Sequence, residues 1–179
     1  MIPSEILTFD GGYLKPLNRV DAHEGYVNGL NDPIINFYLD GVRNEIQTQS
    51  SVENFIAENA KEKNCVLWGV WLNNASNHVG TVRLHGIEHR HKTAHIGICL
   101  FDKTSWGKGV GNNSIRLVTQ WAMDILGLRW IEAGIYSENI ASQKAFITAG
   151  YRWSFDIRGK YVHNGIPTDV KVYVATRPL

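Results

Sequence analysis

The stretch that decides the fold is "SWGKGVGNNS", Ser105–Ser114, read with the run that leads into it, "AHIGICLFDKT", Ala94–Thr104. Gly107, Gly109 and Gly111 alternate with Lys108 and Val110, between Trp106 and a segment of helical spacing. Glycine loses more backbone freedom on folding than any other residue. Three at alternate positions exceed what one tight turn requires, so the backbone here is shaped for close approach. A glycine-rich loop that ends a strand and opens a helix is an anion site, because bare N–H groups and the helix dipole both favour phosphate oxygens.

Spacing separates the ligands that use such loops. A P-loop needs G-x-x-x-x-G-K-[ST]; here Asp102 stands at the first glycine position and Gly109 follows the lysine. A dinucleotide fingerprint needs G-x-G-x-x-G directly after a strand. Ser114 occupies the third glycine position, Glu132 falls mid-strand where the ribose-binding acid should end one, and Asp102–Trp106 intervene. The pattern [R/Q]-x-x-G-x-[G/A] fits Trp106–Gly111 at every position but its first.

Around the loop, Tyr13–Leu17 alternates as a strand, and residues 19 to 39 carry helical spacing with Val20, Val27 and Leu30 on one side. Asn31–Pro33 breaks that helix. Ser50 and Glu53 form a capping box that opens a helix to about Lys63. Residues 65–72, 78–88, 93–101 and 129–136 read as strands, and 73–77 as a turn. Ile115, Val118, Ala122, Ile125 and Leu126 give a helix that Gly127 stops. A further helix spans 141–149, and strands at 151–157 and 170–176 flank Asn164-Gly165, a hairpin dipeptide. Helices, then an antiparallel meander, then β-to-α crossovers make an α+β fold.

The chain resembles the GNAT N-acetyltransferase superfamily, in the branch of ribosomal-protein and amino-sugar acetyltransferases. "YLKPLNRVDA", "NHVGTVRLHGI", "AHIGICLFDKTSWGKGVG" and "ENIASQKAFITAGY" are similar to four of its motifs, in order, from Tyr13 onward. The resemblance implies a single domain over 1–179, a mostly antiparallel twisted sheet with flanking helices and a splayed central strand pair, and acetyl-CoA as co-substrate. It implies that the pyrophosphate sits on the N–H groups of Gly107, Lys108, Gly109, Val110, Gly111 and Asn112, beside Trp106. It further implies that Ile98, Cys99, Leu100 and Phe101 bind the pantetheine arm through backbone groups, with Asn139 bonding it from the next motif. Asn139 equally reads as a helix N-cap.

The implied chemistry is direct attack of an amine on a thioester, which needs an acceptor for the amine proton and a donor for the thiolate. Phe146 stands where many members place a donor tyrosine, so Ser142 and Tyr136 are the candidate donors. His95 is the first candidate base, histidine being suited to neutral pH, and Glu88 the second, acting through water. His85, His89, His91 and His95 match no zinc spacing, so no metal is expected. Tyr38, Asp40 and Arg43 line the expected acceptor wall, and Tyr161, Asn164 and Asp169 close it or meet a second copy of the chain in a homodimer. The acceptor is an amino sugar, a protein N-terminus or a small-molecule amine. A non-catalytic acyl-CoA sensor is the other reading, favoured by Phe146.

The whole chain agrees. Its 179 residues are 44% hydrophobic with six tryptophans, enough for one sizeable core. A net charge of +1 argues against gripping nucleic acid or a membrane surface. The N-terminal "MIPSEILTFDGG" has no signal-peptide pattern, and no stretch approaches the ~18 apolar residues of a membrane span. Cys65 and Cys99 lie in apolar runs, which predicts reduced, buried thiols in a cytoplasmic protein.

Overall fold

The computed structural model describes residues 5–74 and 77–177. The first four residues, on which the signal reading partly rests, and Ala75 and Ser76 of the expected 73–77 turn lie outside the described residues. In chain order the elements are β1 (Leu7–Phe9), β2 (Gly12–Pro16), α1 (Glu24–Asn31), α2 (Asp40–Arg43), α3 (Gln49–Lys61), β3 (Val66–Leu72) and β4 (Asn77–Glu88). They continue with β5 (Thr93–Leu100), α4 (Val110–Ile125), β6 (Trp130–Tyr136), α5 (Ile140–Thr148), β7 (Arg152–His163) and β8 (Ile166–Thr176). The strands form one sheet in the order β1-β2-β3-β4-β5-β6-β8-β7. Every neighbouring pair is antiparallel except β5 and β6. The α+β expectation holds.

Both faces of the sheet are covered. On one, α4 and α5 bury Ile115, Val118, Ala122 and Phe146 against Trp68, Val82, Leu84 and Ile131. On the other, α1 and α3 bury Tyr26, Leu30, Val52 and Ile56 against Leu17, Trp71 and Phe101. Two-sided burial explains why β3 reads as a nearly continuous apolar run.

Local chemistry moves several expected boundaries. The helix expected over 19 to 39 is a 3-10 turn at Arg19–Asp21, α1, and a second 3-10 turn at Asn36–Tyr38. Val20 lies in the first turn, outside the frame of α1, and is 88% exposed. The Asn31–Pro33 break is real, with Asp32 as C-cap. The α3 cap is Thr48 rather than Ser50: Thr48 accepts from Ser51 N at 3.1 Å and Ser51 Oγ accepts from Thr48 N at 2.9 Å. Glu53 instead accepts from Gln49 Nε2 at 3.0 Å. Ile125 ends α4 facing solvent, 56% exposed, and Gly127 follows with φ +65°.

Candidate active site

β5 and β6 pair over one short run, Thr93–His95 with Trp130–Glu132, and then part. Each stays bonded on its other side, β5 to β4 as far as Leu100 and β6 to β8 as far as Tyr136. Their inner edges therefore stand free. Phe101 N donates to Val79 O at 2.9 Å, and antiparallel bonding alternates along a strand. So Cys99 and Phe101 turn their main chain to β4, whereas Ile98 and Leu100 turn theirs into the gap. The Leu100 carbonyl accepts from Trp106 Nε1 at 3.0 Å.

That parity divides the expected Ile98–Phe101 contact. Ile98 keeps its edge groups free and Leu100 its N–H, the Leu100 carbonyl being taken by Trp106; Cys99 and Phe101 turn theirs to β4. Cys99 packs toward α1 and α3, where burial pushes its thiol up to about 12. Phe101 stacks on Tyr26 at 4.4 Å. Gly29 makes that approach possible, since a Cβ there would lie 2.6 Å from the Phe101 Cβ.

The free edge of β5 leads to the start of α4. Gly107 and Gly109 hold φ of +71° and +78°, the left-handed region glycine tolerates best. Gly109 is the N-cap and supplies no side-chain acceptor. The first intrahelical bond runs from Asn113 N to Gly109 O at 3.1 Å, so the N–H groups of Val110, Gly111 and Asn112 have no helical acceptor. The other helices of eight residues or more are capped by His23, Thr48 and Asn139. α4, at 16 residues the longest, alone among them begins bare. Gly111 lies against the edge itself, since an added Cβ would sit 3.5 Å from Leu100 Cδ1 and 3.8 Å from Ile98 Cδ1. Bare donors at a helix start, continuous with an open strand edge, suit a pyrophosphate followed by an amide-bearing arm. Lys108 is exposed at this point.

Across the gap, Asn139 caps α5 by accepting from Ser142 N at 3.1 Å, and Ser142 is half-buried in the first turn. Phe146 is buried in the α4 face, its ring edge-on to Tyr151 at 5.0 Å. A phenylalanine there is explained by packing.

On the opposite face the side chains bear chemistry. Ala94 and Ile96 on β5 and Ile131, Ala133 and Ile135 on β6 point to the α4 core, so alternation sends His95, Gly97, Glu132, Gly134 and Tyr136 the other way. His95 Nδ1 lies 3.1 Å from Glu132 Oε1, with the imidazole side chain 51% exposed. Its ring stacks at 5.5 Å on His85, whose pKa burial and the charges of Arg83 and His95 push down to about 4. Beyond this rung each strand offers a glycine, and an added Cβ at Gly97 would meet nothing within 4 Å. A slot opens there.

Glu88 is not brought to it. Paired with Thr93 before the rung, it accepts from Arg90 N at 2.8 Å and braces the turn that carries exposed His89 and His91. Asp169 accepts from Gly159 N at 2.8 Å and supports the β7–β8 hairpin.

The far end of the face is an aromatic cluster that sequence reasoning saw only in part. Tyr136 is buried and donates its hydroxyl to the Asp40 carboxylate. Tyr38, Tyr161 and His163 surround its ring at 5.5, 5.4 and 5.2 Å. Arg43 ties the cluster together, donating to Phe37 O at 2.9 Å and Asn164 Oδ1 at 2.6 Å, with His163 Nδ1 2.9 Å away. Asn164 and Gly165, at φ +52° and +79°, form the expected hairpin turn. His163 is not legible in the sequence because its polar partners Arg43 and Asp40 lie more than 100 residues away; the one local signal is its place beside Asn164-Gly165.

Comparison with known proteins agrees with this geometry. Residues 13–152 match the acetyltransferase (GNAT) domain family. An uncharacterized N-acetyltransferase of Bacillus subtilis (strain 168), YoaA, is 26% identical over 174 residues, covering 97% of each chain. The crystal structure of a Vibrio cholerae spermidine N-acetyltransferase, in complex with CoA and spermine, superposes with a TM-score of 0.81 at 20% identity, covering 94% of this chain and 96% of that one. A GNAT-family acetyltransferase from Bacillus anthracis superposes with a TM-score of 0.82 at 18% identity, covering 96% and 98%. The chain is a member of the GNAT acetyltransferase family, and acetyl-CoA is its co-substrate.

Proposed function

We propose that the protein acetylates a primary amine by direct attack, the amine entering the slot beside Gly97 and Gly134. The observation that carries this reading is the parting of β5 from β6 after three residue pairs, with His95 on one face and the bare start of α4 at the end of the free edge. Acetyl-CoA, when bound, supplies a thioester carbonyl open to a nitrogen nucleophile. The N–H groups from Gly107 to Asn112 hold its pyrophosphate and complement the helix dipole. Ile98 and Leu100 offer main-chain partners to the pantetheine arm, and Asn139 adds a side-chain partner while capping α5.

An alkyl amine of pKa about 10 arrives protonated at neutral pH, so the chain must remove a proton before the nitrogen can attack. His95 is the base: it is exposed, lies on the acceptor face, and is the residue type suited to moving a proton at neutral pH. Ser142 is the hydroxyl we assign to the departing sulfur, because the Tyr136 hydroxyl is committed to Asp40. The acceptor wall of Tyr38, Asp40, Arg43, Tyr136 and Tyr161 offers hydrogen bonds, charge and aromatic faces. That mixture suits an amino sugar, a peptide N-terminus or a small-molecule amine.

Thermal unfolding with and without acetyl-CoA, with NADH as control, tests the cofactor placement. Saturation at 100 times Kd adds about 2.7 kcal/mol, or about 5–10 °C for a chain of this size. A shift with acetyl-CoA alone is expected; none, or one with NADH, overturns the placement. CoA release on adding glucosamine, a peptide with a free N-terminus and spermidine then identifies the acceptor class. Release with none of these amines favours the sensor reading.

A further inference from the structure

Glu132 is the charged residue of the β5–β6 rung to which no motif assigns a role. It is the direct parallel neighbour of His95. Its two carboxylate oxygens are used differently: Oε1 lies 3.1 Å from His95 Nδ1, and Oε2 accepts from Trp130 Nε1 at 3.2 Å. Trp130 stands two residues earlier on the same face of the same strand, so the indole anchors the carboxylate from behind. Of the other charged groups near the ring, Arg83 is drawn away toward α3, donating to Asn59 Oδ1 at 2.7 Å and lying 3.8 Å from Glu62. His85, stacked on His95, is held neutral at pH 7 by burial, so it offers no opposing charge. At Gly86 no side chain crowds the ring: a Cβ there would lie 3.1 Å from His95 Cδ2.

We propose that Glu132 is a positioning residue for His95: it keeps the proton of the neutral imidazole on Nδ1, leaves the Nε2 lone pair free for the amine, and stabilises the imidazolium that follows. The proposal rests on the reading of His95 as base. The balance is simple. One proton leaves the ammonium for Nε2 before attack; the N–C bond then forms as the C–S bond breaks, the nitrogen releases its second proton to water, and the thiolate takes a proton from Ser142, which regains one from solvent. The imidazolium returns its proton to solvent, and Glu132 stays ionised throughout. The arrangement works because a carboxylate at Nδ1 selects one tautomer, whereas an unpartnered imidazole samples both.

The test is the ring tautomer of His95, read by nitrogen-15 NMR in the cofactor-free protein, beside turnover. The wild type is expected to show Nδ1–H. Glu132→Leu is expected to release the ring toward Nε2–H and lower kcat by about tenfold to a hundredfold, leaving the acetyl-CoA thermal shift intact. Glu132→Gln retains an acceptor for Nδ1–H without the charge, so it keeps the tautomer and loses kcat only several-fold. His95→Ala is measured alongside. If His95→Ala turns over normally, the base reading fails and takes this proposal with it. If His95→Ala is inactive while Glu132→Leu keeps both tautomer and kcat, the positioning role alone is overturned. Should Glu132→Leu fail to fold, Glu132→Gln decides, and an unchanged kcat overturns the proposal.

Discussion

Acidification should loosen the acceptor side of the fold through one identifiable pair, His23 and His78. Tyr26 N donates to His23 Nδ1 at 3.2 Å, which places the His23 proton on Nε2. That nitrogen lies 3.1 Å from His78 Nδ1, and His78 Nε2 lies 3.0 Å from Gly80 O. The relay admits one assignment of protons, with both rings neutral. A second proton on either ring displaces a donor already in place. Burial lowers the pKa of both, that of His78 to about 4, with the ring 5% exposed and stacked on Trp71 at 4.3 Å. The unfolded chain binds a proton near pH 6.5 that the folded chain refuses, so stability is full above about 6.5 and is lost as pH falls toward 4. Between pH 7.5 and 5, His78 alone costs about 2 kcal/mol, which lowers Tm by about 4–8 °C. His85, also lowered to about 4, adds to the slope of the wild type. His78→Phe isolates the pair. It should be less stable at pH 7.5, where the Gly80 carbonyl loses its donor, yet flatter with pH. Calorimetry of both proteins across that range decides; parallel Tm profiles would refute the argument.

Phe146→Tyr should not improve catalysis. The added hydroxyl enters a buried site beside Tyr151, whose own hydroxyl is 2.7 Å from Thr119 Oγ1. An unpaired hydroxyl there costs about 1–3 kcal/mol, seen as a lower Tm with no gain in kcat; a faster variant would restore the tyrosine position as a catalytic one. Gly97→Ala adds a methyl where nothing lies within 4 Å, so Tm and the acetyl-CoA shift should hold while the KM for the amine rises several-fold. An unchanged KM would move the entry route away from Gly97 and Gly134.

What could be read from the chain, and what could not, divides along the reach of the interactions concerned. The start of α4 is legible because its signal is local: alternating glycines from Gly107 to Gly111, followed at once by helical spacing from Ile115 to Leu126. The α3 cap was misread because two local signals compete. "TQSSVE" offers Thr48 with Ser51 and Ser50 with Glu53, and capping propensity alone does not choose between them. The choice comes from 16 residues upstream, where Asn31 bonds both the N–H and the carbonyl of Gln47 at 2.8 Å and fixes where the extended chain ends. Glu132 was harder still. By sequence it is a lone acid in a strand, and its meaning depends on β6 settling beside β5 in a register that pairs it with His95, 37 positions away. That register is chosen by core packing, since a slip of one residue would turn Ile131, Ala133 and Ile135 away from α4. The same apolar side chains that hold the fold therefore select which carboxylate meets the imidazole. A substitution in that buried stripe, such as Ala133→Leu, should disturb His95 and Tm together, whereas Glu132→Gln should disturb His95 while leaving the stripe packed. Tautomer and melting measurements on the two variants separate the register from the charge.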